Sequence, residues 1–137
     1  MNNDSAYGAL LLRVSLGVLF LAHASLKIFV FTPTGTAGYF ESLGLPGGLA
    51  YLTMFAEVVG GLALIAGLYV RVAAVALIPL LLGTIVLVHG ANGFWFNGKG
   101  GGWEFPAFWA VALAVQALIG AGAYAVRLPG RTLSATA

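Results

Sequence analysis

Cysteine is absent from the 137 residues. Disulfides, thiol redox chemistry, a Cys-ligated zinc and a Cys-held iron–sulfur cluster are thereby excluded, and cysteine usage is silent on the redox compartment. Charge is scarce as well: six Lys and Arg with four Asp and Glu make up 7% of the chain. A soluble domain covers its surface with about 25% charged residues, so this chain is of another class. Its few cations are scattered singly, and the net charge of +2 marks topology, not an anionic partner. There is no glycine-rich phosphate loop joining strand to helix, no nucleophile elbow, and no basic aromatic surface for nucleic acid.

What fills the chain is apolar, with 61% hydrophobic residues and a mean hydropathy of +1.00. The charge-free runs 72–98 and 105–126 each reach the ~20 residues needed to cross a bilayer core. Four such helices with short turns occupy the whole length and leave no room for a separate catalytic domain. The expected fold is therefore an all-α integral membrane protein, a four-transmembrane-helix bundle with a short interfacial helix in the first outer loop. Arg13 ahead of an apolar stretch and Ala22-His23-Ala24 together resemble a cleavable signal peptide. Asp4 before Arg13, and the apolar Ile28, Phe29, Val30 and Phe31 directly after Lys27, argue instead for a retained helix.

The spans are expected at about 7–30, 49–69, 72–89 and 106–126. Pro33 and the Thr34-Gly35-Thr36 cluster end the first. Tyr39, Phe40 and Leu43 beside Glu41 suit a helix lying at the membrane surface, and Pro46-Gly47-Gly48 closes that loop. Arg71 marks a tight turn, and Pro79 with Gly83 suggests a kink in the third span. The longest loop, 90–104, is rich in glycine and in aromatics, among them Phe94, Trp95, Phe96 and Trp103. Such rings read as interface anchors or as a mobile lid over a site. Gln116 is the one strongly polar interior side chain of the fourth span. Arg127, Pro129 and Arg131 are expected to end it, with a disordered tail over 130–137. The side holding Arg13, Arg71, Arg127 and Arg131 outweighs the side holding Lys27 and Lys99, which predicts both termini in the cytoplasm.

Lipid excludes ionisable groups unless they face the bundle interior and find partners. His23 and Lys27 are four apart on one helix face, and at 1.5 Å rise His23 sits roughly 20 to 25 Å above the cytoplasmic end. Glu57, on a helix running the other way, comes out at about the same depth. His89, Asn92, Trp103 and Glu104 lie at the same outer side. Ala56, Gly60 and Gly61 around Glu57 allow a close helix approach, so Glu57 is expected to face protein.

Each residue has two readings. Glu57 either fixes helix register or handles protons; His23 and His89 either bridge helices or belong to a site. Lys27 and Arg13 either snorkel to headgroups or face inward. Asn92 and Glu104 either cap helices or line a pocket. A buried carboxylate among imidazoles and an ammonium is the equipment of a quinone pocket, with Glu57 and His23 exchanging protons and Lys27, His89, Asn92, Trp103 and Glu104 completing the binding surface. Axial ligation of a b-type haem by His23 and His89 is a weaker reading, as is a two-histidine, two-carboxylate metal site. No metal is expected.

The phrases Leu12-Arg13-Val14-Ser15-Leu16-Gly17-Val18-Leu19-Phe20-Leu21-Ala22-His23-Ala24-Ser25-Leu26-Lys27, Phe40-Glu41-Ser42-Leu43-Gly44-Leu45-Pro46, Glu57-Val58-Val59-Gly60-Gly61 through Gly67 to Arg71, His89-Gly90-Ala91-Asn92-Gly93-Phe94 and Gly102-Trp103-Glu104-Phe105-Pro106 resemble, in order, the DoxX family of small bacterial membrane proteins. Ala24 stands where that family has glycine, a change of helix contact. The resemblance implies a four-helix inner-membrane protein. The family takes its name from a subunit of an archaeal terminal quinol oxidase, and relatives are linked to quinone or catechol stress and to thiol and superoxide defence complexes. It also implies that Arg13, His23, Lys27, Glu57, Arg71, His89 and Glu104 occupy motif positions, whose roles the family leaves open. Two functions follow as expectations: a quinone- or quinol-linked redox accessory subunit, or a non-catalytic membrane partner that docks another subunit or a second copy of itself.

Overall fold

A computed structural model describes residues 2–126. Five α-helices carry the chain, and there is no strand among the described residues. Helix α1 (Asn3–Ser25) begins where the Asn2 side chain accepts the Ser5 N–H at 3.0 Å, with Asp4 in the first turn against the positive helix end. It runs on through a π-helical turn, Leu26–Val30, so the continuous helical stretch is 28 residues. A corner at Thr32, a non-glycine residue at φ +65°, leads into α2 (Pro33–Ser42), whose proline sits where the missing N–H does no harm.

Helix α3 (Gly48–Ala66) stops at Gly67, φ +77°, where the Gly67 and Leu68 N–H groups return to the Leu64 and Ala63 carbonyls at 3.2 and 2.9 Å. Only glycine takes that left-handed position without strain. Helix α4 (Val70–Thr84) follows after a three-residue link and ends in a second π-helical turn, Ile85–His89, and a short 3-10 turn, Gly90–Asn92. Helix α5 (Glu104–Ile119) closes the fold.

Asn3–Val30, Gly48–Ala66 and Val70–Asn92 are each long and apolar enough to cross a membrane; α5 is apolar but has 16 residues. The core joins Leu16 and Phe20 of α1, Leu64 of α3, Leu77 of α4, and Trp109 and Leu113 of α5. Large apolar side chains such as Phe55, Val86, Phe108 and Leu118 stay on the outside. Water would not tolerate so continuous an apolar exterior, but lipid does.

Helices α1 and α3 meet backbone to backbone. A Cβ added at Gly17 would lie 2.6 Å from the Gly61 carbonyl oxygen, and one at Gly61 3.0 Å from that of Gly17. Small residues at such a crossing let two helices approach where lipid offers no hydrophobic drive. The crossing sets which residues of the upper halves face each other.

One expectation is corrected and one open alternative is decided. Helix α5 was expected to reach residue 126, but it ends at Ile119, because Gly120 and Gly122 take φ +82° and +71°. The chain then turns under the bundle, where Ala123 N–H donates to the Ala6 carbonyl and Val126 N–H to that of Ala66. Nor does Arg13 snorkel. It is 1% exposed, and its guanidinium donates to the carbonyls of Ala121 (2.8 Å), Leu64 (2.9 Å), Ala123 (2.9 Å) and Ile65. Leu64 and Ile65 lie in the last turn of α3 and Ala121 and Ala123 in the chain just after α5, so the cation ties the end of α3 to the segment that follows α5 instead of binding lipid headgroups. Arg71, exposed at the α3–α4 turn, lies with its guanidinium beside Gly120. Arg127, Pro129, Arg131 and the expected disordered tail over 130–137 lie outside the described residues.

Candidate functional site: a buried ion pair and an aromatic column

The site begins at the π-helical turn of α1. Lys27 is its second residue, and the Lys27 Nζ donates to Glu57 Oε1 at 2.9 Å. A π turn widens the helix and re-aims its side chains, which is why such turns recur at functional places. Helix α2 holds the turn in shape: buried Thr36 donates from its hydroxyl to the carbonyls of Lys27 (3.1 Å) and Thr32 (2.9 Å). Glu57 itself is 6% exposed. Its second oxygen, Oε2, is buried with no protein partner among the described residues. An ion-paired carboxylate with one oxygen left over has acceptor capacity that its surroundings do not use.

His23 stands one turn below Lys27 and within electrostatic range of the Glu57 carboxylate. Its Nδ1 is 2.9 Å from the Leu19 carbonyl of its own helix, and its ring packs on Trp109 with centroids 4.9 Å apart. Trp109, 5% exposed, also touches Phe20 (4.6 Å) and Phe105 (5.7 Å). Its indole Nε1 is buried without a partner. From Phe105 the rings continue to Phe96 (5.2 Å) and from there to His89 (6.2 Å).

The loop between α4 and α5 forms the second half. His89, at the end of the α4 π turn, has Nδ1 2.8 Å from the Gly101 carbonyl. Asn92 Nδ2 reaches the carbonyls of Val88, Gly100 and Gly101 at 3.1, 2.9 and 3.2 Å. Glu104 Oε1 accepts the Phe96 N–H at 2.8 Å, and Trp103 packs edge-on against Phe94 at 4.9 Å. A cleft of about 660 Å³ opens on the outer side of α5, lined by Phe94, Phe96, Trp103, Glu104, Phe105 and Phe108 among others.

The single outer cluster expected from sequence is therefore two groups. Lys27, Glu57 and His23 gather at the α1–α3 junction, while His89, Asn92, Glu104 and Trp103 bind the loop's own backbone and rings. Aromatic side chains connect them. Among the described residues no three His, Asp or Glu side chains come together, and His23 and His89 have separate partners.

Sequence reasoning passed over Trp109, the residue that links the halves. Its signal was available, since Trp109, Leu113 and Gln116 recur at helical spacing and all three are buried. Gln116, 0% exposed, donates from Nε2 to the Gly120 carbonyl at 2.6 Å and leaves Oε1 unpartnered.

A profile of the DoxX family matches residues 8–90. The chain belongs to the DoxX family. The matched stretch holds Arg13, His23, Lys27, Glu57, Arg71 and His89, so both residues of the ion pair lie within it. A further similarity is to CatD of Bacillus subtilis (strain 168), a protein named only provisionally as an oxidoreductase: 36% identity over 88 residues, 64% of each chain. The match thus spans less than two thirds of that relative's length. No solved structure matches the chain.

Proposed function

We propose that this DoxX chain is a quinone- or quinol-linked accessory subunit of the bacterial inner membrane, and that Glu57 and His23 are its proton-handling pair. The observation that carries the reading is Glu57 Oε2, a buried carboxylate oxygen left free while Lys27 occupies Oε1. A carboxylate within an apolar bundle is costly to keep. One whose spare oxygen sits near an imidazole is equipped to receive a proton from a ligand hydroxyl and pass it on. Lys27 holds the carboxylate in place, and the electrons leave to a redox partner outside this chain. The provisional naming of the related CatD as an oxidoreductase supports the same direction.

In this reading α5, roughly 24 Å long at 1.5 Å per residue, is the fourth span. Its N-terminal rings anchor it at one interface, and α2 lies along that outer surface. The cation bias then places both termini in the cytoplasm.

The test is extraction of bound small molecules from protein purified in mild detergent, comparing wild type with Glu57→Gln. Near-stoichiometric quinone or quinol in the wild type, reduced in a variant of unchanged fold, supports the assignment. Its absence from both samples refutes it.

A second reading rests on the ion pair itself. The Lys27–Glu57 bridge pins α1 against α3, and in a non-catalytic partner subunit that register role would suffice. It predicts that Glu57→Gln leaves assembly with other membrane subunits near normal and that no quinone is ever bound.

A further inference from the structure

The cleft of about 660 Å³ on the outer side of α5 is walled by the rings of Phe94, Phe96, Trp103, Phe105 and Phe108, and Glu104 is the one charged side chain among the described residues that line it. That volume lies in the range of small-molecule sites. One oxygen of the carboxylate is committed, since Oε1 accepts the Phe96 N–H at 2.8 Å. Oε2 has no hydrogen-bond partner among the described residues, and the one ion pair among them is Lys27–Glu57. Lys99, the single cation of the 90–104 loop, does not line the cleft. The rings hold one another in place, Trp103 edge-on to Phe94 at 4.9 Å and Phe96 tilted on Phe105 at 5.2 Å.

We propose that this cleft binds the ammonium end of an amphiphile, a protonated primary amine joined to hydrocarbon. A carboxylate without a cation partner only accepts and draws positive charge, and the negative faces of aromatic rings draw the same charge. An anionic head would be repelled, and a neutral hydroxyl would gain one hydrogen bond and nothing from the rings. An ammonium can donate to Oε2 while the rings cover its other sides. The helix also gives the hydrocarbon its place. Glu104, Phe108 and Val111 stand at i, i+4 and i+7, one face of α5 with the carboxylate at its end and apolar side chains over the next roughly 10 Å. Phe108 and Val111 are 74% and 57% exposed there. With α5 as a membrane span, that face turns its charge toward the headgroups and its apolar part toward the lipid chains, which is how a cationic amphiphile lies. The proposal rests on that span and is independent of the quinone reading, because Glu57 and His23 do not line the cleft. The ammonium can belong to a membrane lipid with an ethanolamine headgroup or to a free amphiphilic amine.

The experiment is equilibrium dialysis of octylammonium, octanol and octanoate against the full-length protein in non-ionic detergent, with retention by protein-free micelles subtracted. The probes share one tail and differ in the charge of the head. Octylammonium should bind about 10-fold more tightly than octanol, and octanoate should not be retained. Glu104→Gln keeps an acceptor for the Phe96 N–H and removes the charge, so octylammonium should fall to the level of octanol. Phe108→Leu, on the exterior, keeps apolar surface without a ring; it should weaken octylammonium about 3-fold and leave octanol as it was. Competition separates the two sources. Displacement of octylammonium by didecanoyl phosphatidylethanolamine, but not by phosphatidylglycerol of the same chains, assigns the ammonium to a membrane lipid, and displacement by neither assigns it to a free amine. Equal retention of octylammonium and octanol, displacement by both lipids alike, or wild-type binding by Glu104→Gln would overturn the proposal. If Glu104→Gln does not fold, the comparison of heads on the wild type and on Phe108→Leu decides. Failure here leaves the Glu57 and His23 assignment standing, since no probe is a quinone and none needs that pair.

Discussion

Replacing Arg13 with methionine removes the guanidinium while keeping an unbranched apolar stem, and it should destabilise the bundle by about 3 kcal/mol. Four carbonyls, those of Leu64, Ile65, Ala121 and Ala123, receive its N–H groups. A hydrogen bond to a charged group contributes about 1.5 kcal/mol at the low end, so the four together contribute about 6. Against this stands relief from holding an unpaired cation at 1% exposure, a penalty of several kcal/mol that lowers the net to about half. Arg13→Lys keeps the charge but replaces a planar five-donor fork with a point ammonium that cannot span both segments, and about 2 kcal/mol should be lost.

The assay is reversible unfolding in mixed micelles as the SDS fraction rises, followed by helical circular dichroism. A loss of 3 kcal/mol is about two powers of ten in the folding equilibrium. A side chain that merely snorkelled would tolerate lysine without change. Arg13→Lys and Arg13→Met unfolding together with wild type would therefore refute the clamp.

Gly17→Ala should cost about 1 to 3 kcal/mol, since the new Cβ meets the Gly61 carbonyl at 2.6 Å, whereas Gly83→Ala, with nothing within 4 Å, should be neutral or slightly stabilising; equal behaviour in the same unfolding assay would show that α1 and α3 do not touch there. Lys27→Met should destabilise by leaving Glu57 charged and alone, and the double variant Lys27→Met with Glu57→Gln should recover most of the loss, giving a coupling of at least about 1 kcal/mol. Strict additivity of the two single effects would mean no ion pair. Asn92→Ala releases the Gly100 carbonyl and loosens that of Gly101, the two residues directly after Lys99, so trypsin cleavage at Lys99 in detergent should quicken about tenfold. An unchanged cleavage rate would place the loop's anchorage elsewhere.

Composition and period alone settled the all-α class and the lipid environment. With 7% charge and 61% apolar residues, no other solvent could cover the exterior, and each long apolar run had to become a helix because lipid offers the backbone no hydrogen-bond partner. A close helix approach beside Glu57 was legible too, in Ala56, Gly60 and Gly61, but not that the helix approaching is α1. Tertiary structure decided what each polar group does. Depth along a helix is additive at 1.5 Å per residue and can be counted from the chain, but azimuth is set by the Gly17–Gly61 crossing and by two π turns that no periodicity announces. For that reason Lys27 reaches Glu57 while His89 and Glu104 turn to the loop. Arg13 followed the same rule: its position near a span end suggested headgroups, yet carbonyls beside the turns at Gly67 and Gly120, distant in sequence, lay within its reach. Trp109 has an indole N–H that hydropathy treats as part of an apolar ring, and only the fold leaves that N–H unpartnered against His23.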